Sequence, residues 1–417
     1  MVPNRRTVWL LSVVVLLVMS GISIIAPAVP FYAEALGATP FLIGVLVGAL
    51  AGARVVVDFP SGYLGDRFGN WRMMQTGLAI IALTSALAVI AFDYWFLLGV
   101  RIAEGVGSGF YVTSSLAALA RATPAARRGR DMSTYVGFLL VGQVVGPVLG
   151  GLAVAVAGLR APFAAYSLLA ASGMFLVALA PGAAEDRARG PRGARIDWAA
   201  AGTLLRNRSY VFVIVGTMSA FFIRGGLIFV VLPLYVADVF ALPQNAAAAA
   251  VGLLITIQAL TSMATMYPSG RWADRVGRKP PFVASLVGIG LLAPVIFLAR
   301  DFTALAAVMA VYGLVLGFHG PLAAWAIDLT PPAVMGTSMG IYRTVGDAGF
   351  LVGPLVMGAL IGWGGSPAVN PWPFLVSAVW LIASGLLLVL ADDPVGRSRA
   401  HRVKPSPAEV VVSEPDP

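Results

Sequence analysis

Arg101 and Glu104 stand three residues apart inside a long apolar stretch of this chain. Arg54 and Asp58, and again Arg343 and Asp347, stand four apart in two other such stretches, and Arg224 stands alone in a fourth. Each stretch is long enough to cross a bilayer. The seven ionisable side chains therefore lie where each is costly unless it faces a cavity or a partner. Spacings of three and four place both members of a pair on one helix face. Two kinds of chemistry follow. A carboxyl held beside a guanidinium away from water gains or loses a proton when its surroundings change, which is what a proton carrier needs. The same spacing also lets Arg54–Asp58 and Arg343–Asp347 simply neutralise themselves and lock helices.

Depth separates the acids. At about 1.5 Å per helical residue, Asp58 lies about 12 Å in from Asp66, which suits a gating or structural role together with Arg54. Asp347 lies about 18 Å in from Met335, near the midplane, and Glu104 lies at comparable depth from the other side. Glu104 beside Arg101 is the first candidate for the proton site, and Asp347 with Arg343 the second. The first apolar segment carries no acid. The chain has no cysteine, and its two histidines, His319 and His401, are far apart, so no metal site is expected. There is no nucleophile–base set and no phosphate loop, so neither an enzyme nor a cofactor is expected.

The elements that must position these residues are membrane helices. Hydrophobic residues make up 59% of the chain and charged ones 11%, with a mean hydropathy of +0.88. A soluble domain carries about 25% charged residues. Twelve spans are predicted, at roughly 7–30, 41–63, 73–92, 95–119, 132–157, 160–180, 209–236, 247–270, 281–299, 302–327, 336–362 and 372–391. The first follows Arg5 and Arg6 as a signal peptide would, but it is too long for one and is read as a retained helix. The net charge of +9 would suit a polyanion, yet 22 of the 28 Lys and Arg fall in the termini and in the loops on one side. That bias predicts a multi-pass protein of the cell (inner) membrane, both termini cytoplasmic, with no nucleic-acid partner.

The chain repeats itself. PSGYLGDRFG at Pro60–Gly69 returns 208 residues later as PSGRWADRVG at Pro268–Gly277. Gly44 maps to Gly252, Gly146-Pro147 to Gly353-Pro354, and Pro30-Phe31-Tyr32 to Pro233-Leu234-Tyr235. Both motif copies fall on the same side, so the repeat is parallel. The expected organisation is a six-helix bundle over 1–180, a cytoplasmic linker over 181–208, a second six-helix bundle over 209–391 and a disordered tail over 392–417. A short interfacial helix is expected at Ile196–Leu205.

These residues resemble the major facilitator superfamily of secondary transporters. Its loop signature is matched by Gly62, Leu64, Asp66, Arg67 and Gly69, and again by Gly270, Asp274, Arg275 and Gly277. The first copy departs after Gly69, where Asn70 and Trp71 replace the usual basic pair, and the second has Trp272 where Leu is usual. The resemblance implies an all-α fold of two pseudo-symmetric six-helix bundles. The glycines should allow a tight turn and close helix approach, while the Asp-Arg pairs reach across the cytoplasmic gap and act as a gate. Arg101, Gly105 and Gly107 resemble the superfamily's fourth-helix motif, associated with proton coupling. Gly142, Gly146, Pro147, Gly150 and Gly151 resemble the fifth-helix motif that marks proton-driven exporters. Ordinary small-residue packing is the alternative for that stretch.

A cavity between the halves is expected, with Tyr111, Arg224, Tyr312, His319 and Trp325 as candidate lining. The leading function is proton-coupled efflux of drugs or small amphipathic metabolites by alternating access. Its partners would be a small-molecule substrate, protons and the lipid bilayer, and the protein would be monomeric. The rivals are a symporter or uniporter for sugars, organic anions or lysolipids, which the four membrane arginines would suit if the substrate is an anion, and a transporter-like sensor.

Overall fold

In a computed structural model of the chain, residues 5–123, 128–179, 198–320, 322–331 and 334–395 are described. Twelve helical units run in chain order. They are α1 (Arg5–Ile25, followed by a turn and Val29–Ala35), α2 (Pro40–Phe68), α3 (Asn70–Val89), α4 (Tyr94–Ala122), α5 (Arg128–Ala157) and α6 (Ala161–Ala178). After a short helix at Trp198–Arg206 come α7 (Arg208–Ile223, continued by Arg224–Val231 and Leu232–Val239), α8 (Gln244–Val276) and α9 (Lys279–Leu298). The last three are α10 (Phe302–Leu316, then Leu322–Asp328), α11 (Met335–Gly364) and α12 (Trp372–Val389). The expected linker and tail fall largely on residues 180–197 and 396–417, which lie outside the described residues.

Eleven of these units are long and apolar enough to cross a membrane; the other, α4, is 29 residues long and carries Arg101 and Glu104. The outer surface is apolar, with Val156 86%, Leu168 70% and Leu298 70% exposed, which only lipid can cover at that density. The protein is therefore a multi-pass membrane protein.

Local chemistry sets the helix ends. Asp93 caps α4 by accepting from the Phe96 amide at 2.6 Å, and Asp301 caps α10 by accepting from the Ala304 amide at 2.9 Å. The repeated motif supplies two C-terminal stops. Gly69 closes α2 at φ +94° and Gly277 closes α8 at φ +117°, a region that side chains with a Cβ rarely adopt. At Gly277 the missing Cβ also leaves room for the Asp393 carboxylate, which accepts from the Lys279 amide at 2.9 Å. Gly62 and Gly270 behave otherwise. They were expected to admit close helix approach, but nothing lies within 4 Å of where a Cβ would stand on either.

The repeat is visible in side chains as well. The Tyr32 hydroxyl donates to the Ala88 carbonyl at the end of α3, and the Tyr235 hydroxyl donates to the Phe297 carbonyl in the last turn of α9. An arginine lies over each ring, Arg160 over Tyr32 and Arg300 over Tyr235, both at 5.9 Å.

Close packing follows the glycines. A Cβ on Gly142, Gly146 or Gly150 would run into the backbone of α1, and one on Gly151 would meet Ala249 of α8 at 3.0 Å. In the second half Gly349 and Gly353 press on Met218 and Phe222 of α7 in the same way. The halves meet along two seams, α2 against α11 and α5 against α8. The α2–α11 seam is tight at the end away from the loop motifs, where Gly44 abuts Pro354 and Gly358 abuts Pro40, and at the same end Gln244 of α8 bonds Glu34 of the α1 unit at 3.2 Å.

Candidate functional site

The α2–α11 seam corrects the sequence reading of the charged pairs. Arg54 bonds Asp347 through both of its carboxylate oxygens, and Arg343 forms an ion pair with Asp58, its Nε 2.7 Å from Oδ2 and its terminal nitrogen donating to Oδ1 at 3.5 Å. Each helix contributes an arginine and an aspartate four residues apart, and the helices are antiparallel. Each arginine therefore finds the acid of the other helix. The Arg54–Asp58 and Arg343–Asp347 pairings within one helix, allowed by spacing, are replaced by pairings between halves. A guanidinium fork reaches a carboxylate bidentately across a seam, which the i,i+4 geometry of one helix rarely permits. The structure thus joins two proposed gate residues, Arg54 and Asp58, to two proposed coupling residues, Asp347 and Arg343.

Arg101 and Glu104 do pair with each other, at 2.7 Å. Glu104 is fully buried, and one of its oxygens, like Arg101 Nε, has no hydrogen-bond partner among the described residues. Gly105 presses on Leu50 and Ala53 of α2, and a Cβ on Gly109 would meet Asp58 at 3.0 Å. The α4 pair is thus packed against the helix that carries half of the crossed quartet.

A two-lobed cavity lies between the halves. The larger lobe, of about 320 Å³, is walled by α1, α5 and the second half, and the smaller, of about 200 Å³, by α1, α2 and α4 with α5, α7 and α11. Arg224, Gln143, Ser23, Ala26, Phe221 and Phe229 belong to both. Arg54 and Arg101 face the smaller lobe, while Tyr312 and His319 face the larger. The wall is buried toward the far end at Val29 and Ile228. It continues toward the loop-motif end along Met266 and Gly320, where Gly320 is exposed.

Three of the five expected lining residues therefore reach the cavity. The other two are corrections. Tyr111 is fully buried inside the first half, and Trp325 is fully buried in the second, its ring N–H donating to the Asp392 carbonyl at 3.0 Å. Trp325 thus buries its ring in the packed core with its one polar atom bonded.

His319 sits in a short 3₁₀ turn between the two segments of α10. Ser285 Oγ donates to the Val315 carbonyl at 2.6 Å, so its contact of 2.6 Å with His319 Nδ1 has the imidazole as donor. Nε2 is then an acceptor, with no partner among the described residues. Arg224 opens a π-helical stretch, Arg224–Val231, where the reading from sequence has a regular helix over 209–236. Gly225 and Gly226 let this wide turn lie directly on Phe350, Gly353 and Pro354 of α11. Gln143 was missed as a lining residue, although its place between Gly142 and Gly146 of the fifth-helix motif marks the strip of α5 that faces other helices.

Around the second loop motif the described ion pairs stay within one half. Asp274 bonds Arg278 at 2.6 Å, and Arg278 bonds Asp328 of α10 at 3.0 Å, all within the second half. Burial works against the Arg278 charge, and the hydrogen bonds and charges of Asp328 and Asp274 outweigh it, holding the pKa above its ordinary value. Arg67 lies over the Phe68 ring at 5.3 Å. The Asp66 side chain lies outside the described residues. Neither Arg67 nor Asp274 bonds the opposite half among the described residues.

The comparisons with known proteins agree with this architecture. The family model of the Major Facilitator Superfamily matches residues 11–250 and 243–414, and the chain belongs to that family. It is a transporter and not an enzyme. An uncharacterised MFS-type transporter of Methanocaldococcus jannaschii is 24% identical over 395 residues, spanning 93% of this chain and 98% of that one. The multi-drug resistance efflux pump PmrA of Streptococcus pneumoniae is 29% identical over 181 residues, covering 42% of this chain and 43% of the pump. Among solved structures, a D-xylose-proton symporter superposes with a TM-score of 0.74 at 15% identity, over 93% of this chain and 98% of its own. A bacterial homologue of the lysosomal transporter Spinster superposes with a TM-score of 0.73 at 14% identity, over 98% of this chain and 100% of its own.

Proposed function

We propose that this transporter is a proton-coupled exporter of small amphipathic molecules. It would work by alternating access in the cell membrane, with both termini in the cytoplasm and the monomer as the working unit. The observation that carries the reading is the placement of Glu104. It is fully buried and bonded to Arg101, whose side chain lines the cavity. A proton on Glu104 releases its hold on Arg101, so protonation changes the charge presented to the cavity. An exporter needs one such group that loads from outside and discharges inside.

The positive-inside bias of the chain puts the loop-motif end in the cytoplasm. On that assignment, contacts closed at the far end and a cavity wall running toward the loop motifs correspond to the inward-facing state. In the opposite state Asp66, Arg67 and the second Asp274-Arg275 copy would close the cytoplasmic side. The fifth-helix glycines that seat α5 on α1 support export, as does the likeness to a relative described as an efflux pump.

The test is transport in inverted vesicles with and without an imposed proton gradient. Glu104→Gln keeps the shape and removes the titration. Gradient-driven efflux should be lost while substrate binding and counterflow exchange persist. Full gradient-driven efflux in Glu104→Gln would exclude it as the carrier.

A further inference from the structure

The seven ionisable groups at membrane depth comprise four arginines and three acids. The structure spends all three acids. Asp347 is held by Arg54, Glu104 by Arg101 and Asp58 by Arg343. Arg224 has no carboxylate within ion-pairing distance among the described residues. Its one side-chain hydrogen bond among the described residues is a long one, 3.4 Å to the Gln143 side-chain oxygen across the interface. A guanidinium has five N–H donors, so most of its capacity is unused. Among the described residues no Asp or Glu lines either lobe of the cavity, and Arg224 lines both.

The surroundings are apolar. Phe221, Phe229, Ile255, Met263 and Met266 form much of the wall around and beyond Arg224. Arg224 is itself exposed to the cavity, and a cation without an acid partner, set among apolar walls that focus its field, attracts anions and repels cations. Pockets of this kind take an apolar body and fix it by a few polar groups.

We infer that Arg224 binds the anionic head group, a carboxylate, sulfonate or phosphate, of an amphipathic substrate. Gln143 lies beside the head, and the apolar body fills the larger lobe. The inference rests on the proposed reading of the cavity as the substrate site and narrows the substrate to organic anions.

Equilibrium binding tests it without any gradient. The protein in lipid nanodiscs is titrated with three dansylated probes of equal chain length: dansylaminoundecanoate, its methyl ester, and the trimethylammonium analogue. The wild type should bind the carboxylate tighter than the ester by on the order of tenfold or more, the scale of one charge-assisted hydrogen bond, with the ammonium weakest. Arg224→Gln should bring the carboxylate down to the ester's affinity and leave the ester unchanged, and Arg224→Lys should keep the ranking. Equal binding of ammonium and carboxylate by the wild type overturns the inference, as does carboxylate selectivity surviving in Arg224→Gln. If Arg224→Gln no longer binds the ester, it has lost its fold, and the wild-type ranking together with Arg224→Lys decides. A failure of the proton-export reading would show in Glu104→Gln transport and would leave this head-group ranking intact.

Discussion

Arg54 bonds Asp347 across the seam between the two halves, and not Asp58 on its own helix. Losing one partner strands the other beside an apolar lobe. Asp347→Asn should therefore lower stability by on the order of 3 kcal/mol. The reciprocal exchange Arg54→Asp with Asp347→Arg should recover most of the loss. The exchange within one helix, Arg54→Asp with Asp58→Arg, sets like charges opposite each other and should recover nothing. Melting of the purified variants checks this, and recovery by the same-helix exchange would show that the crossed pairing is not the one that matters.

Gly150 lies so close to the Ile24 carbonyl that a Cβ has no room. Gly150→Ala should push α5 off α1 and cost about 1 to 3 kcal/mol, the scale of overpacking. Gly137, on the same helix with open space around it, is the control. Gly137→Ala should melt within a degree or two of wild type. Equal melting of both variants would count against the tight α1–α5 contact.

Arg278 ties the turn between α8 and α9 to the end of α10 through Asp328. The contact is partly exposed, so Asp328→Asn should cost only about 1 kcal/mol. The two carboxylates hold the Arg278 charge and raise its pKa, so that contribution is fully present at neutral pH and is lost only as alkali strips the guanidinium. Wild type and Asp328→Asn should therefore stay apart in stability across the neutral range. Equal melting of the two at neutral pH would show that the Arg278–Asp328 contact adds nothing.

Cysteines introduced at Asn245 and Val369 should react with an impermeant thiol reagent added to intact cells, and one at Gly202 should not. The chain contributes no cysteine of its own, so the background is clean. Labelling at Gly202 from outside would reverse the orientation on which the inward-facing assignment rests.

The fold was legible because lipid imposes a strong rule on composition: every span had to be apolar, and the repeated Asp-Arg-x-Gly ends marked where two of them stop. The members of the charged cluster were legible too, since an ionisable group at membrane depth stands out. Their pairing was not. Spacing along one helix shows which residues share a face, but Arg54 and Asp347 are 293 positions apart and meet only because α2 and α11 run antiparallel. The π stretch at Arg224 was equally hidden, because Gly225 and Gly226 permit it and only the contact with α11 demands it. Tyr111 and Trp325 misled for the opposite reason: an aromatic with a polar atom suits a cavity wall and a helix core alike.

The crossed quartet also breaks the likeness between the halves. The repeat carries Arg54 onto Ser262, Asp58 onto Met266, Arg343 onto Val136 and Asp347 onto Leu140. The flank formed by α5 and α8 therefore has no charged staple at the depth where α2 and α11 have two, and Leu140, Ser262 and Met266 face the cavity instead. Prising α2 from α11 in hydrocarbon would bare four charges, whereas prising α5 from α8 would bare groups that acyl chains tolerate. The molecule was doubled in its backbone but not in its charges: one flank is latched by two ion pairs, and the other, among the described residues, is held by close packing alone.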